Sequence, residues 1–457
     1  MSDVVIRGAM VVTALGIVET EVVLRGGRIR LAASDGATAT GGEEARRRTT
    51  AAVAPAPGSK EIDARGLYLL PGFIDIHTHG YDLFDFTLGL YDAATDTFDA
   101  SRQRSLEALE RYVRRMPSMG VTTSYLATMA AETRTLRERL DLLGEFLASP
   151  PPGTRIAGAF LEGSFISDQM LGAMNPDFVH VPDARLFDEL NASGTVRLAL
   201  VAPDYGAPAL ALIRHLARRG VIAGAGHTAA TAEQLRQARQ AGLKYMVHFL
   251  NGPTGSSFKP FAGGGAVEGA LGDDKLYVEL IADGYHVDPR YVRDVLARKG
   301  FDRTVAVTDS MFAAGAVAGQ LGAKGIKTFQ MGGVYGKVSP DGKFLQVAHN
   351  PKALFGSCLD MPTACSNLLS WLTQPMPGIW TAEHAPLPVD QALVAVSKMT
   401  ATNPARLTGL DEQLGLGAIA DGRTADLTLA ALTGKAGAYT LTIRRTWSAG
   451  REVFAGK

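Results

Sequence analysis

Between Leu67 and Ser310 the chain carries eight apolar runs: YLLPGFIDIHTH, VTTSYLATM, RIAGAFLEG, VRLALVAP, VIAGAGH, YMVHFL, LYVELIADGYH and TVAVTDS. Several are separated by segments whose apolar residues recur at helical spacing, such as SLEALERYVRRM, TLRERLDLLGEFL, ALALIRHLARR, TAEQLRQARQAG and PRYVRDVLARK. Parallel strands need a crossover and a helix supplies it, so this alternation predicts an α/β fold with a parallel sheet. Eight such units suffice to close the sheet on itself. The expectation is a (β/α)8 TIM-type barrel over residues 67–405.

Both flanks read differently. Val4 to about Arg30 is a series of short alternating segments punctuated by Gly, and short strands return in GAIADGRTADLTLA and AYTLTIRRTWSAGREVFAG. Neither flank can bury its apolar face alone, so residues 1–66 and 406–457 are expected to form one small β-sandwich domain built from both chain ends. Residues 32–60, rich in Ala, Gly, Thr, Arg and Pro without an apolar period, read as a mobile insertion. ALVAVSKMTATNPARLTGL reads as a helix and a turn, and residues 315–381 are assigned no role.

Charge and cysteine content narrow the function. The 46 Lys and Arg balance 46 Asp and Glu, so no basic field favours nucleic acid or an anionic membrane, and the expected partner is a small molecule. Cys358 and Cys365 match neither a metal knuckle nor a disulfide framework. The N-terminus lacks a secretory pattern and no apolar run reaches membrane-spanning length, which leads to a cytoplasmic expectation.

In a barrel of this type the active site gathers at the C-terminal ends of the strands. The polar residues ending the candidate strands are His77 and His79, Glu162, His227, His248, His286 and Asp309. His77 and His79, two apart on a strand, project to the same face. His227, His248 and Glu162 end apolar strands where an unpaired imidazole or carboxylate is costly, and a shared cation removes that cost. Such ligands suit zinc, and also iron, cobalt or manganese. Asp309, at the end of the last strand, is the candidate general base and then acid beside a metal-activated water, and His286 the candidate for a substrate hydrogen bond. His180, His215, His349 and His384 are expected to be solvated.

Taken in order, PGFIDIHTHG, LEGSF, GHTAAT, HFLNG, IADGYHV and VTDS resemble the N-acetylglucosamine-6-phosphate deacetylase family of the amidohydrolase superfamily. The resemblance implies metal-dependent hydrolysis of the N-acetyl amide of an amino sugar by a metal-bound hydroxide. Glu162, His227 and His248 are then metal ligands, Asp309 the catalytic acid/base, and His77 and His79 match members that hold a second ion. It further implies that Asn251, Gly252 and His286 contact the sugar phosphate and that the enzyme is a homodimer. Two positions depart from the family pattern: Lys259 stands where an Arg usually meets the phosphate, and Met174 where a His helps polarise the scissile carbonyl. A different amide, from an unphosphorylated N-acetyl sugar or an N-acylamino acid, is the alternative reading, and a catalytically silent binding protein the third.

Overall fold

Eight parallel strands follow one another in sequence order around the molecule, each hydrogen-bonded to the next: β1 (Phe73–Thr78), β2 (Val121–Ala127), β3 (Arg155–Leu161), β4 (Val196–Leu200), β5 (Ile222–Ala225), β6 (Tyr245–Met246), β7 (Tyr277–Ile281) and β8 (Thr304–Val307). The computed structural model describes residues 3–31, 56–252, 254–316 and 328–456. The circle closes beyond the ends of β1 and β8, where Thr78 pairs with Ser310 and the Asp309 N–H donates to the His77 carbonyl at 2.8 Å. The seam of the barrel is thus made by the segments that carry the HxH pair and the Asp.

The crossovers are α1 (Arg102–Arg115), α2 (Thr133–Leu147), α3 (Ala184–Leu190), α4 (Ala207–Arg218), α5 (Ala232–Ala241), α6 (Ala266–Gly272) and α7 (Pro289–Lys299). Local chemistry fixes their starts. Thr231 and Gln234 form a reciprocal capping box on α5, and Asp288 caps α7 with Pro289 in its first turn. Helices on the outside leave β1 and β2 buried along their whole length, polar residues included.

YLLPGFIDIHTH divides at Gly72: Tyr68–Pro71 belongs to a six-stranded sheet outside the barrel and Phe73–Thr78 to the barrel itself. In that outer sheet Tyr68–Pro71 pairs with Met10–Thr13 on one side and Leu427–Lys435 on the other, so the two chain ends meet around it. A four-stranded sheet containing Val4–Arg7 and Lys60–Asp63 lies against it, sharing a core of Val11, Val22, Ile29, Leu69, Leu427 and Trp447. This is the two-ended β sandwich. Of the expected insertion, residues 32–55 lie outside the described residues.

Residues 328–357 form a four-stranded antiparallel meander, Thr328–Met331, Val334–Val338, Phe344–Val347 and Asn350–Ser357, which no sequence pattern had suggested. Its apolar face packs Phe329, Met331 and Phe355 onto Met311 and Phe312 beyond β8. His384 is also corrected: it is buried, its Nε2 lying 2.8 Å from Asp294 on α7, whose other carboxylate oxygen accepts the Ile379 and Trp380 N–H groups. The solvated expectation fails because nothing local to a loop histidine shows that a helix carboxylate reaches it. His215 pairs with Asp188, and Cys358 and Cys365 are free thiols.

Candidate metal centre

His77, His79, Glu162, His227, His248 and Asp309 converge at the C-terminal mouth of the barrel, all buried. Glu162 sits between two pairs of imidazoles. Its Oε2 lies 3.5 Å from His77 Nε2 and 3.1 Å from His79 Nε2, while its Oε1 lies 3.2 Å from His248 Nε2 and 3.7 Å from His227 Nε2. Asp309 faces the first pair, with Oδ1 3.4 Å from His77 Nε2 and 3.3 Å from His79 Nε2. Three site residues, His227, His248 and Asp309, have positive φ (42°, 30° and 49°), a conformation costly to side chains with a Cβ and found where a fold holds functional groups.

The buried carboxylates and imidazoles of the cluster hold one another's charge. Burial alone would strip the proton from His77 and His79, yet the Asp309 and Glu162 carboxylates outweigh it and hold both above the usual histidine range, His79 at about 9. Burial would likewise favour the neutral acids, but the His77 charge pulls Glu162 well down and Asp309 to about 2. His227 is lowered to about 4 by burial and by the neighbouring His248. The Nε2 of His77, aimed at Glu162 and Asp309, has no hydrogen-bond partner among the described residues. Two sets of three, His77–His79–Glu162 and Glu162–His227–His248, have ligand atoms within 4.8 Å of one another, so the donors fit a divalent metal site.

Surrounding groups fix the imidazoles. His77 Nδ1 donates to Glu279 Oε2 at 3.0 Å, and the same oxygen accepts the His248 N–H at 3.1 Å. His227 Nδ1 donates to the Met170 carbonyl at 2.8 Å, which turns its Nε2 toward Glu162. Asp75 accepts the Thr308 hydroxyl at 2.6 Å and ties β1 to β8; burial raises its carboxyl to about 6. Glu279 and Asp75 were missed in the sequence, although each is an acid inside an otherwise apolar strand, where a buried charge needs a partner. The Met170 carbonyl left no signal, since any residue provides one.

Above the cluster opens a cavity of about 450 Å³. Asn251, Gly252 and His286 line it, and His286 Nδ1 is held 2.6 Å from Asp283 Oδ2, whose charge outweighs burial and raises the imidazole's pKa. Lys259 is exposed and is not among the lining residues. Met174 is in the wall, its sulfur accepting the Ala130 N–H at 3.3 Å. Met129, Met170 and Met311 share that wall, while Asn350 and Lys352 reach it from the meander.

A closed parallel barrel with buried histidines and a carboxylate at its mouth defines a metal-site hydrolase scaffold, and the chain belongs to the amidohydrolase family, whose model matches residues 68–453. Within that family it resembles amino-sugar-phosphate deacetylases. It is 30% identical over 368 residues to the N-acetylgalactosamine-6-phosphate deacetylase of Escherichia coli, covering 80% of this chain and 84% of that one. It is 33% identical over 267 residues to the N-acetylglucosamine-6-phosphate deacetylase of Bacillus subtilis, an alignment covering 57% of this chain and 62% of that one. The fold matches that of a Mycobacterium smegmatis N-acetyl-D-glucosamine-6-phosphate deacetylase mutant in complex with N-acetyl-D-glucosamine-6-phosphate, with a TM-score of 0.73 at 24% identity over 99% of this chain and 100% of that one.

Proposed function

We propose that this protein removes the acetyl group from an N-acetylated amino sugar, with N-acetylglucosamine-6-phosphate or its galactose isomer as first candidate. The observation that carries the reading is the division of Glu162 between two histidine pairs with Asp309 opposite. Glu162, His227 and His248 would hold one ion and His77 and His79, sharing Glu162, a second. Zinc is the first candidate, with iron, cobalt or manganese suited to the same donors.

When bound, a divalent cation polarises the amide carbonyl and acidifies the attacking water. Asp309, whose Oδ1 lies 3.3 Å from His79 Nε2 and so beside the ion that His77 and His79 would hold, takes the proton from that water as its oxygen adds to the carbonyl carbon. It then delivers the proton to the amine nitrogen as the C–N bond breaks, leaving acetate and the free amino sugar. Asn251, the Gly252 backbone and His286 would hold the sugar end, and Lys259 would meet its phosphate from a neighbouring subunit in a homodimer. Phe258 and Phe261, 94% and 80% exposed beside Lys259, support burial of that loop against a second copy.

One observation favours the alternative of a different amide: Met129, Met170, Met174 and Met311 give the cavity an adaptable apolar wall. The deciding experiment is metal analysis of the purified protein together with turnover of N-acetylglucosamine-6-phosphate, N-acetylglucosamine and an N-acetylamino acid. Metal with deacetylation of the phosphorylated sugar supports the proposal. Metal with turnover of only another amide moves the substrate, and neither metal nor turnover defeats the reading.

A further inference from the structure

The strand Asn350–Ser357 runs from the rim of the cavity to the reaction centre. Asn350 and the run from Lys352 to Gly356 line the cavity, and the strand bulges between its pairs Val347–Asn350 and Gln346–Leu354, which places Lys352 in the bulge. Asn350 and Lys352 are exposed, Leu354 is half-buried and Ser357 is buried. The inner end is anchored: the Ser357 N–H donates to the Asp309 carbonyl at 2.8 Å and its hydroxyl to the Thr308 carbonyl at 2.6 Å. Gly356, at φ 57°, lies where any Cβ would run into the Met311 side chain, so the strand passes close to the centre without adding bulk. At the outer end the Asn350 side chain accepts the Lys352 N–H at 3.3 Å.

Lys352 is the only Lys or Arg among the described residues that line the cavity. Its own chain offers it no ion-pair partner among the described residues. An unpaired ammonium at the mouth, on a strand tied at its other end to Asp309, is placed to meet the part of a substrate remote from the scissile bond. We propose that Lys352, with Asn350 beside it, binds a phosphate group at that remote end, so that the meander adds a phosphate contact from within the subunit to the one given to Lys259. The inference rests on the amide-hydrolase reading above. A lysine meets phosphate as a point charge without the bidentate fork of arginine, so the expected contribution is that of one charge-assisted hydrogen bond, about 10- to 100-fold in affinity.

The test compares the metal-loaded full-length protein with its Lys352→Met and Lys259→Met variants. Expected for Lys352→Met is a rise of about 10- to 100-fold in KM for N-acetylglucosamine-6-phosphate. Its kcat should stay within about twofold of the parent, as should KM for unphosphorylated N-acetylglucosamine, because the lost contact is remote from the reacting bond. An unchanged KM for the phosphorylated sugar, or a rise only in Lys259→Met, overturns the inference. If the parent protein turns over neither sugar, the deacetylase reading falls separately, and the subsite is read by calorimetric titration with inorganic phosphate. Affinity that drops in Lys352→Met sustains it, and equal affinity in parent and variant refutes it.

Discussion

Glu279 and His77, 202 residues apart in the chain, are joined by a 3.0 Å hydrogen bond at the floor of the metal centre, both fully buried. The same Glu279 oxygen accepts the backbone N–H of His248, so one carboxylate from β7 orients an imidazole on β1 and the strained turn after β6. A carboxylate behind a ligating histidine fixes its tautomer and raises its basicity.

Replacing Glu279 with Gln keeps the size and removes the charge. Metal affinity should fall about 10- to 100-fold while the fold survives, and activity should recover at high metal concentration. Metal titration followed by activity reads both effects. Unaltered affinity in a well-folded variant removes Glu279 from this role.

Asp309→Asn should retain metal, since Glu162 and four histidines remain, yet lose the proton acceptor. A fall in kcat of about 10²- to 10⁴-fold is expected at unchanged metal stoichiometry. Near-normal turnover by the metal-loaded variant would falsify the acid/base assignment.

The metal-free protein should lose stability as pH rises from about 6.5 to 9. The His79 pKa is raised from 6.5 to about 9: burial opposes its protonation, but Asp309 and Glu162 outweigh it. A group that binds its proton more tightly when folded contributes fully below its unfolded pKa and loses that contribution as pH passes its folded pKa. Thermal melts of chelated protein across this range test the slope. Metal must also displace that proton, so calorimetry near neutral pH in buffers of different ionisation enthalpy should record proton release on metal binding.

Adding metal should raise Tm, because an ion that binds only the folded centre stabilises it by mass action. The increment should be smaller in His248→Ala than in His215→Ala, since His215 lies outside the centre, paired with Asp188. Equal increments would place the bound metal elsewhere.

Asp294→Ala tests the loop staple apart from catalysis. It leaves the Ile379 and Trp380 N–H groups and His384 without their acceptor, at a cost of about 2–3 kcal/mol. Denaturant melts should show this loss while metal content stays at the parent level.

The barrel was legible because its signals are local: an apolar run followed by a helical period says strand then helix wherever it occurs, and eight repeats leave few closed arrangements. The convergence of His77, His79, Glu162, His227, His248 and Asp309 followed from their positions at strand ends, since a barrel brings every strand end to one rim. What the tertiary structure alone decided were relations between segments far apart in the chain. Hydrogen bonding across the barrel, not local pattern, couples Glu279 to His77 and Asp75 to Thr308. The meander over 328–357 carries little period of its own; its place is set by packing Phe329 between Phe312 and Phe355 and by the Ser357 bonds to the Asp309 loop. Lys352 lines the cavity and Lys259 does not for the same reason: residue type fixes a side chain's chemistry, while the path of the backbone fixes what it faces.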